Sequence, residues 1–362
     1  MSGFGGAFAG RRVLLTGHTG FKGSWLSRWL LDLGAEVTGY ALEPDTTPSL
    51  FEDLRLTDAL DSRIGDVRDA RAVEDVVSEV RPEVVLHLAA QPLVRRSYAE
   101  PRYTFETNVM GTVNVLEAVR RCDDTRVVVN VTTDKVYENP ETGVPFAEDD
   151  ALGGWDPYSA SKAASEVVTS SYRRSFLSGE SGAVVASARA GNVIGGGDWA
   201  SDRLVPDCAR ALSAGKPVLV RNPASVRPWQ HVLDPLSGYL HLAASLLVNP
   251  ELAGAFNFGP GASSDAKVAE VVELFVREWG GGTWEAPLSD GQPHEAGVLR
   301  LDIDKAGRTL GWRPVWDLGE TVRRTARWYR RYGERHRPDE LVAEDLDAYR
   351  AAAQDAAVPW TT

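Results

Sequence analysis

The chain has 362 residues, a formal net charge of −12 and two cysteines, Cys122 and Cys208. That length buries a large core in one or two intimate domains, and the acidic balance argues against a nucleic-acid or anionic-membrane surface. Two cysteines exclude a disulfide framework, and six histidines scattered from His18 to His336 lack ligand spacing, so no metal is expected.

Short apolar runs alternate with helical patterns through the first half, which predicts an α/β fold with a Rossmann-type, doubly wound parallel sheet. Val13–Thr16 reads as a buried strand and Phe21–Leu33 as a helix with Trp25, Leu26, Trp29, Leu30 and Leu33 on one stripe. Glu36–Leu42 and Arg63–Gly65 follow as strands. Ala70–Val80 is a helix that Pro82 ends. Val84–Leu88 is the fourth strand, Tyr103–Cys122 a long helix, Arg126–Thr132 the fifth strand, Ser159–Phe176 a helix and Val184–Arg189 the sixth strand. After Gly195-Gly196-Gly197 the segments shorten and fill with Pro and Trp, as a smaller α/β substrate domain would.

The organisation expected is a dinucleotide-binding domain over 1–194 with a return segment about 229–250. A substrate domain takes 195–228 and 251–340, and 341–362 is a charged, alanine-rich tail with little to pack. Late helices are expected at Ala266–Trp279, Asp304–Leu310 and Leu318–Tyr332. No signal peptide or bilayer-length apolar run is read, so the cytoplasm is the expected setting.

Three clusters carry chemistry. Gly17-x-x-Gly20-x-x-Gly23 lies between a predicted strand and helix, where glycines let backbone amides approach a diphosphate at a helix N-terminus. Asp66 and Val67 suit an adenine edge. From Tyr40 to Ser49 there is no Lys or Arg to meet a 2′-phosphate, so NAD is preferred over NADP, with His18 and Lys22 as the reservation. Thr133, Asp134 and Lys135 end the fifth strand, where such a sheet places its ligands. Tyr158 and Lys162 lie four apart on a helix, a rise of about 6 Å and a rotation of about 40°, so they share a face. An ammonium there favours the phenolate.

Together with His87–Arg95, Thr107–Thr112, Arg189–Trp199 and Arg227–Val232, these motifs resemble the extended short-chain dehydrogenase/reductases and, within them, the nucleotide-sugar 4,6-dehydratases. Lys135 in the third place of Thr-Asp-Lys is similar to the branch that acts on CDP-glucose. The resemblance covers nearly the whole chain. It implies that Tyr158, aided by Lys162 and Thr133, deprotonates a sugar 4-hydroxyl, that Lys135 removes the C5 proton, and that Asp134 protonates the leaving 6-hydroxyl. It implies a cofactor site of Gly17, Thr19, Gly20, Phe21, Lys22, Gly23, Asp66, Val67, Leu88, Ala89, Ala90 and Asn108 with Tyr158 and Lys162. Gln91, Asn192, Arg203, Arg227 and His294 are the implied substrate contacts, and a homodimer or homotetramer built through the helices after strands four and five is the implied assembly. Two other classes share parts of this pattern. A sugar-nucleotide 4-epimerase or reductase has the glycine loop and the Tyr/Lys helix but lacks an acid–base pair after Thr133. A non-catalytic NAD sensor has no need of Tyr158 and Lys162.

Overall fold

The computed structural model describes residues 3–178, 182–261, 264–287 and 297–362. Its centre is a parallel sheet of β1 (Arg12–Thr16), β2 (Glu36–Ala41), β3 (Asp61–Ile64), β4 (Val84–His87), β5 (Val127–Val131), β6 (Val184–Arg189) and β7 (Ala255–Asn257). The strand order is 7-6-5-4-1-2-3, so the chain reverses direction across the sheet between β1 and β4. Crevices at such a reversal, beyond the carboxyl ends of the strands, are where this architecture binds ligands.

Successive strand residues point to opposite faces, and the buried side chains divide accordingly. Val13 and Leu15 join Trp25, Trp29, Leu236 and Tyr239 on one face, while Leu14, Val85 and Val128 join Val73, Val77 and Val115 on the other. Both faces are apolar because helices cover both, which is why these strands lack polar alternation. The helices that do this are α1 (Phe21–Asp32), α2 (Ala70–Val80), α3 (Gly111–Arg120), α4 (Pro157–Ser175) and α5 (Leu233–Val248). Asp69 caps α2 by accepting from the amides of Arg71 and Ala72, and Arg81, in the left-handed region at φ 49°, closes it before Pro82.

The long helix expected after β4 arrives in pieces: Val94–Ala99, then Pro101–Phe105, a π-helical turn at Glu106–Met110, then α3. Sequence patterning also missed the helix Leu204–Ser213 and strand β7, which is only three residues long.

The largest correction concerns the C-terminus. The 341–362 tail packs rather than trails: Pro338–Asp355 is a helix that buries Leu341, Val342, Leu346, Tyr349 and Ala353. Trp360 stacks on Phe4 with ring centroids 5.0 Å apart, and Tyr349 Oη donates to the buried Asp234 carboxylate at 2.8 Å. The apolar stripe at 342, 346, 349 and 353 carried this signal, but alanines and charges around it disguised it. No helix among the described residues is long and apolar enough to cross a membrane.

Candidate active site

A cavity of about 1130 Å³ runs along the carboxyl ends of the strands. Its first wall is the glycine loop. Gly17 has φ +77° and lies so close to β4 that a Cβ there would sit 2.7 Å from the Ala89 amide nitrogen. A Cβ on Gly23 would fall 2.1 Å from the Gly17 carbonyl oxygen, so α1 can start against the turn only with glycine there. Thr19 Oγ1 donates to the Leu42 carbonyl at 2.8 Å and ties the loop to the end of β2. At that end the cavity is lined by Glu43 and Asp45. Acids there suit a free ribose hydroxyl and oppose a 2′-phosphate.

The reservation over His18 and Lys22 is resolved by where they point. The His18 ring is buried, its Nε2 2.8 Å from Ser62 Oγ, and burial pulls its pKa down to about 4, so it is neutral at pH 7. Lys22 reaches toward α5, its Nζ 3.4 Å from Tyr239 Oη. Burial lowers its pKa to about 7, with Arg203 and Lys162 adding to the effect and Asp134 opposing it.

The second wall is made of side chains. Asp156 caps α4 by accepting from the Ser159 amide at 3.0 Å, and Pro157 takes the first helical position, which sets Tyr158 in the first turn. The Tyr158 hydroxyl lies beside the Thr133 side chain, which opposes the effect of burial by drawing its pKa down. Thr133 Oγ1 donates to Asp134 Oδ1 at 2.9 Å, Asn192 Nδ2 donates to Asp134 Oδ2 at 3.2 Å, and Lys135 Nζ stands 3.6 Å from Asp134 Oδ1. A chain of polar side chains therefore runs from Tyr158 through Thr133 to the acid and base expected at β5.

Asp134 is fully buried, and it fits only because residue 191 is glycine: a Cβ there would lie 1.8 Å from the Asp134 carboxyl carbon. Gln230 Nε2 holds Gly191 by donating to its carbonyl at 3.1 Å, which docks the Arg227–Val232 motif onto the Arg189–Trp199 motif. Lys162 Nζ donates to the Val131 carbonyl at 3.0 Å. Burial pulls its pKa down to about 8, against the pull of Glu166. The Tyr158 hydroxyl moves the other way, up to about 12, chiefly through burial and with Thr133 opposing. Enclosure of the phenol thus outweighs the help toward the phenolate expected from the Lys162 ammonium.

Gly17, Thr19, Gly20, Phe21, Lys22, Gly23, Asp66, Val67, Leu88, Ala89 and Ala90 all line this cavity, with Thr133, Asp134, Lys135, Tyr158, Lys162, Asn192, Arg203 and Arg227. Two expected contacts need correction. Asn108 lies behind the wall: its Oδ1 accepts from the Gln91 amide at 2.8 Å, and its Nδ2 donates to the Gln91 carbonyl and to Ser161 Oγ. It fixes the 91 loop against α4 and does not touch the cavity. Gln91 reaches the cavity, but its side-chain amide donates to the Leu93 carbonyl and Thr104 Oγ1 and accepts from the Leu93 amide. It shapes the wall and leaves little for a substrate. His294 lies outside the described residues. Among the described residues no His/Cys/Asp/Glu cluster has the makings of a metal site. Sequence reading missed the roles of Gly191, Glu43, Asp45, Arg95 and Arg221. Gly191 and Arg95 had a signal, their places inside the Arg189–Trp199 and His87–Arg95 motifs.

Residues 14–325 match the family described as GDP-mannose 4,6 dehydratase. The chain belongs to this family. It is 50% identical over 330 residues to a CDP-glucose 4,6-dehydratase of Salmonella typhimurium, covering 89% of this chain and 91% of that one. The crystal structure of DesIV, a dTDP-glucose 4,6-dehydratase from Streptomyces venezuelae with NAD bound, superimposes with a TM-score of 0.76 at 27% identity, over 90% of this chain and 99% of that one. A UDP-glucose 4-epimerase of Thermus thermophilus in complex with NAD does so at 0.74 and 29%, over 88% and 99%. Dehydratases and epimerases thus share this frame, and the residues beside Tyr158 must tell them apart.

Proposed function

We propose that the protein is an NAD-dependent hydro-lyase that converts CDP-glucose to CDP-4-keto-6-deoxyglucose. The observation that carries this reading is the acid–base pair Asp134–Lys135, held 3.6 Å apart and bonded through Asp134 to Thr133 beside Tyr158. The 50% identity to a CDP-glucose 4,6-dehydratase supports the choice of base. In this reading residues 1–194 with 229–250 hold the cofactor, and 195–228 with 251–340 hold the nucleotide sugar.

The glycine loop, Glu43 and Asp45 fit NAD, and the Gly17 and Gly23 contacts leave its diphosphate only backbone to approach. Bound there, NAD supplies a hydride acceptor beside the sugar C4 that returns the hydride to C6 within one turnover. Tyr158 removes the 4-hydroxyl proton as that hydride leaves, and the Lys162 ammonium favours the phenolate once the ring is engaged. The C4 ketone acidifies C5–H. Lys135 takes the C5 proton, Asp134 protonates the 6-hydroxyl, and water departs; the Lys135 ammonium, open to exchange with solvent, then returns a proton to C5 as the hydride reaches C6. Ammonium and carboxylate are the wrong forms for this step. One proton shifted across the pair makes a neutral amine and a neutral acid, and the elimination itself restores the charges. Each positioned acid or base contributes about 10²–10⁴-fold.

Incubation with CDP-, dTDP-, GDP- and UDP-glucose tests the reading. The alkaline chromophore of a 4-keto-6-deoxy product is expected with CDP-glucose. An isomer of unchanged mass would make the protein an epimerase, and turnover of another nucleotide alone would reassign the base. Lys135→Ala should abolish solvent deuterium exchange at C5, and retained exchange removes Lys135 from that role.

Two copies of the chain are expected to pair through the helices after β4 and β5. Phe105, Met110 and Val167 on those helices are exposed apolar side chains, 39%, 49% and 57% accessible, and pairing would cover them. Sedimentation equilibrium should give twice or four times the 39.3 kDa chain mass. In this reading the protein works in the cytoplasm.

A further inference from the structure

We propose that Asp202 is an internal stand-in for a substrate phosphate, holding Arg221 and Arg95 until the diphosphate of a nucleotide sugar displaces it. The inference rests on the nucleotide-sugar reading above. Arg221 grips Asp202 as a fork, Nη1 2.5 Å from Oδ1 and Nη2 donating to the Asp202 carbonyl at 3.0 Å. Arg95 Nε reaches the same Oδ1 at 3.9 Å. Arg95 belongs to the helix after β4, and Arg221 follows the strand Val218–Leu219 of the covering part, so one carboxylate joins the two parts of the chain that bound the cavity. All three residues line it, together with Arg227 and Asn192.

The neighbouring pair Arg203–Asp198 shows what a permanent link looks like here. The Asp198 side chain is 6% exposed and also accepts from the Ala200 amide at 3.1 Å. Asp202 is 48% exposed and sits in the left-handed region at φ 62°, at the tip of its loop. An ion pair that open to water contributes little stability. It therefore opens at small cost, while a phosphate offers the same forked geometry with more charge. Pairing in the meantime keeps two flexible arginines extended toward the cavity.

The test is calorimetric titration of the NAD-loaded protein with CDP, and with cytidine as the phosphate-free probe. Removing the competitor in Asp202→Asn should tighten CDP by about 1.5-fold to fivefold, the span an exposed pair commands. Arg221→Ala should weaken CDP by roughly tenfold or more. In the double variant the Asp202→Asn gain should vanish, because the two residues act through one contact. Cytidine affinity should not respond to Asp202→Asn, and neither should NAD affinity of the protein without CDP. Unchanged or weaker CDP binding in Asp202→Asn overturns the proposal, as does an equal gain with cytidine or a gain that survives Arg221→Ala. UDP, GDP and dTDP run in parallel separate this from the function itself. A wrong base shifts which diphosphate responds, whereas a wrong stand-in leaves every diphosphate indifferent to Asp202→Asn.

Discussion

The glycine-loop wall of the cavity keeps its shape with backbone: Gly17 rests on the Ala89 amide and Gly23 on the Gly17 carbonyl. The catalytic wall opposite is built from side chains that hold one another, with Asp134 bonded to Thr133 and Asn192 and paired with Lys135. The first wall can serve any reaction that needs the same cofactor, since backbone amides are common to every sequence. The second is where a reaction is chosen, because a few side chains decide what is protonated and when. A shared cofactor wall with a variable catalytic wall accounts for a fold common to dehydratases and epimerases.

Substitutions can separate the two walls. The largest effect is expected from Gly191→Ala, whose methyl would overlap the Asp134 carboxyl. Turnover should fall by roughly 10⁴-fold, the upper end of what a positioned acid supplies, while NAD affinity by fluorescence titration stays unchanged. Loss of NAD binding in that variant would mean the walls are not independent. Tyr158→Phe removes one proton acceptor and leaves the ring, so kcat should drop about 10²–10³-fold with an unaltered melting temperature. The smallest effect sharpens the comparison from outside the cavity. Asp234 is as deeply buried as Asp134 but lies away from the cavity, and burial raises its pKa to about 7. Between the ordinary carboxylate pKa of 3.8 and about 7, the folded protein keeps a proton that the unfolded chain has lost. Stability therefore decreases as pH rises through that window. Asp234→Asn, which keeps an oxygen for the Val315 amide and Tyr349, should flatten the melting temperature between pH 4 and 7 and leave kcat alone. A fall in kcat would show that the far cluster is coupled to the catalytic wall.

Local spacing made the sheet, the glycine loop and the Tyr158–Lys162 pair readable, because each depends on residues within a turn or a strand of one another. The Thr133–Lys135 segment was readable because parallel sheets put ligands at strand ends. What stayed hidden depends on contacts distant in sequence. Gly191 matters only because Asp134, 57 positions earlier, needs its space, and Asn108 is a wall support only because Gln91 folds over it. The C-terminal tail was misread for the same reason: the partners of Tyr349 and Trp360, namely Trp29, Asp234 and Phe4, are far back in the chain.

The π-helical turn at Glu106–Met110 carries one residue more than a plain helix would use. Asn108 faces the Gln91 loop from inside this turn while Met110 faces outward. Excising Val109 would let the helix run on as ordinary α with both flanks keeping their faces, because five π residues turn about as far as four α residues. Only the residues inside the turn would move, Asn108 among them, and the apolar patch at Phe105 would stay where it is. A single-codon deletion is thus expected to disturb the cavity wall and spare the pairing surface, which makes the extra residue a device for the wall alone.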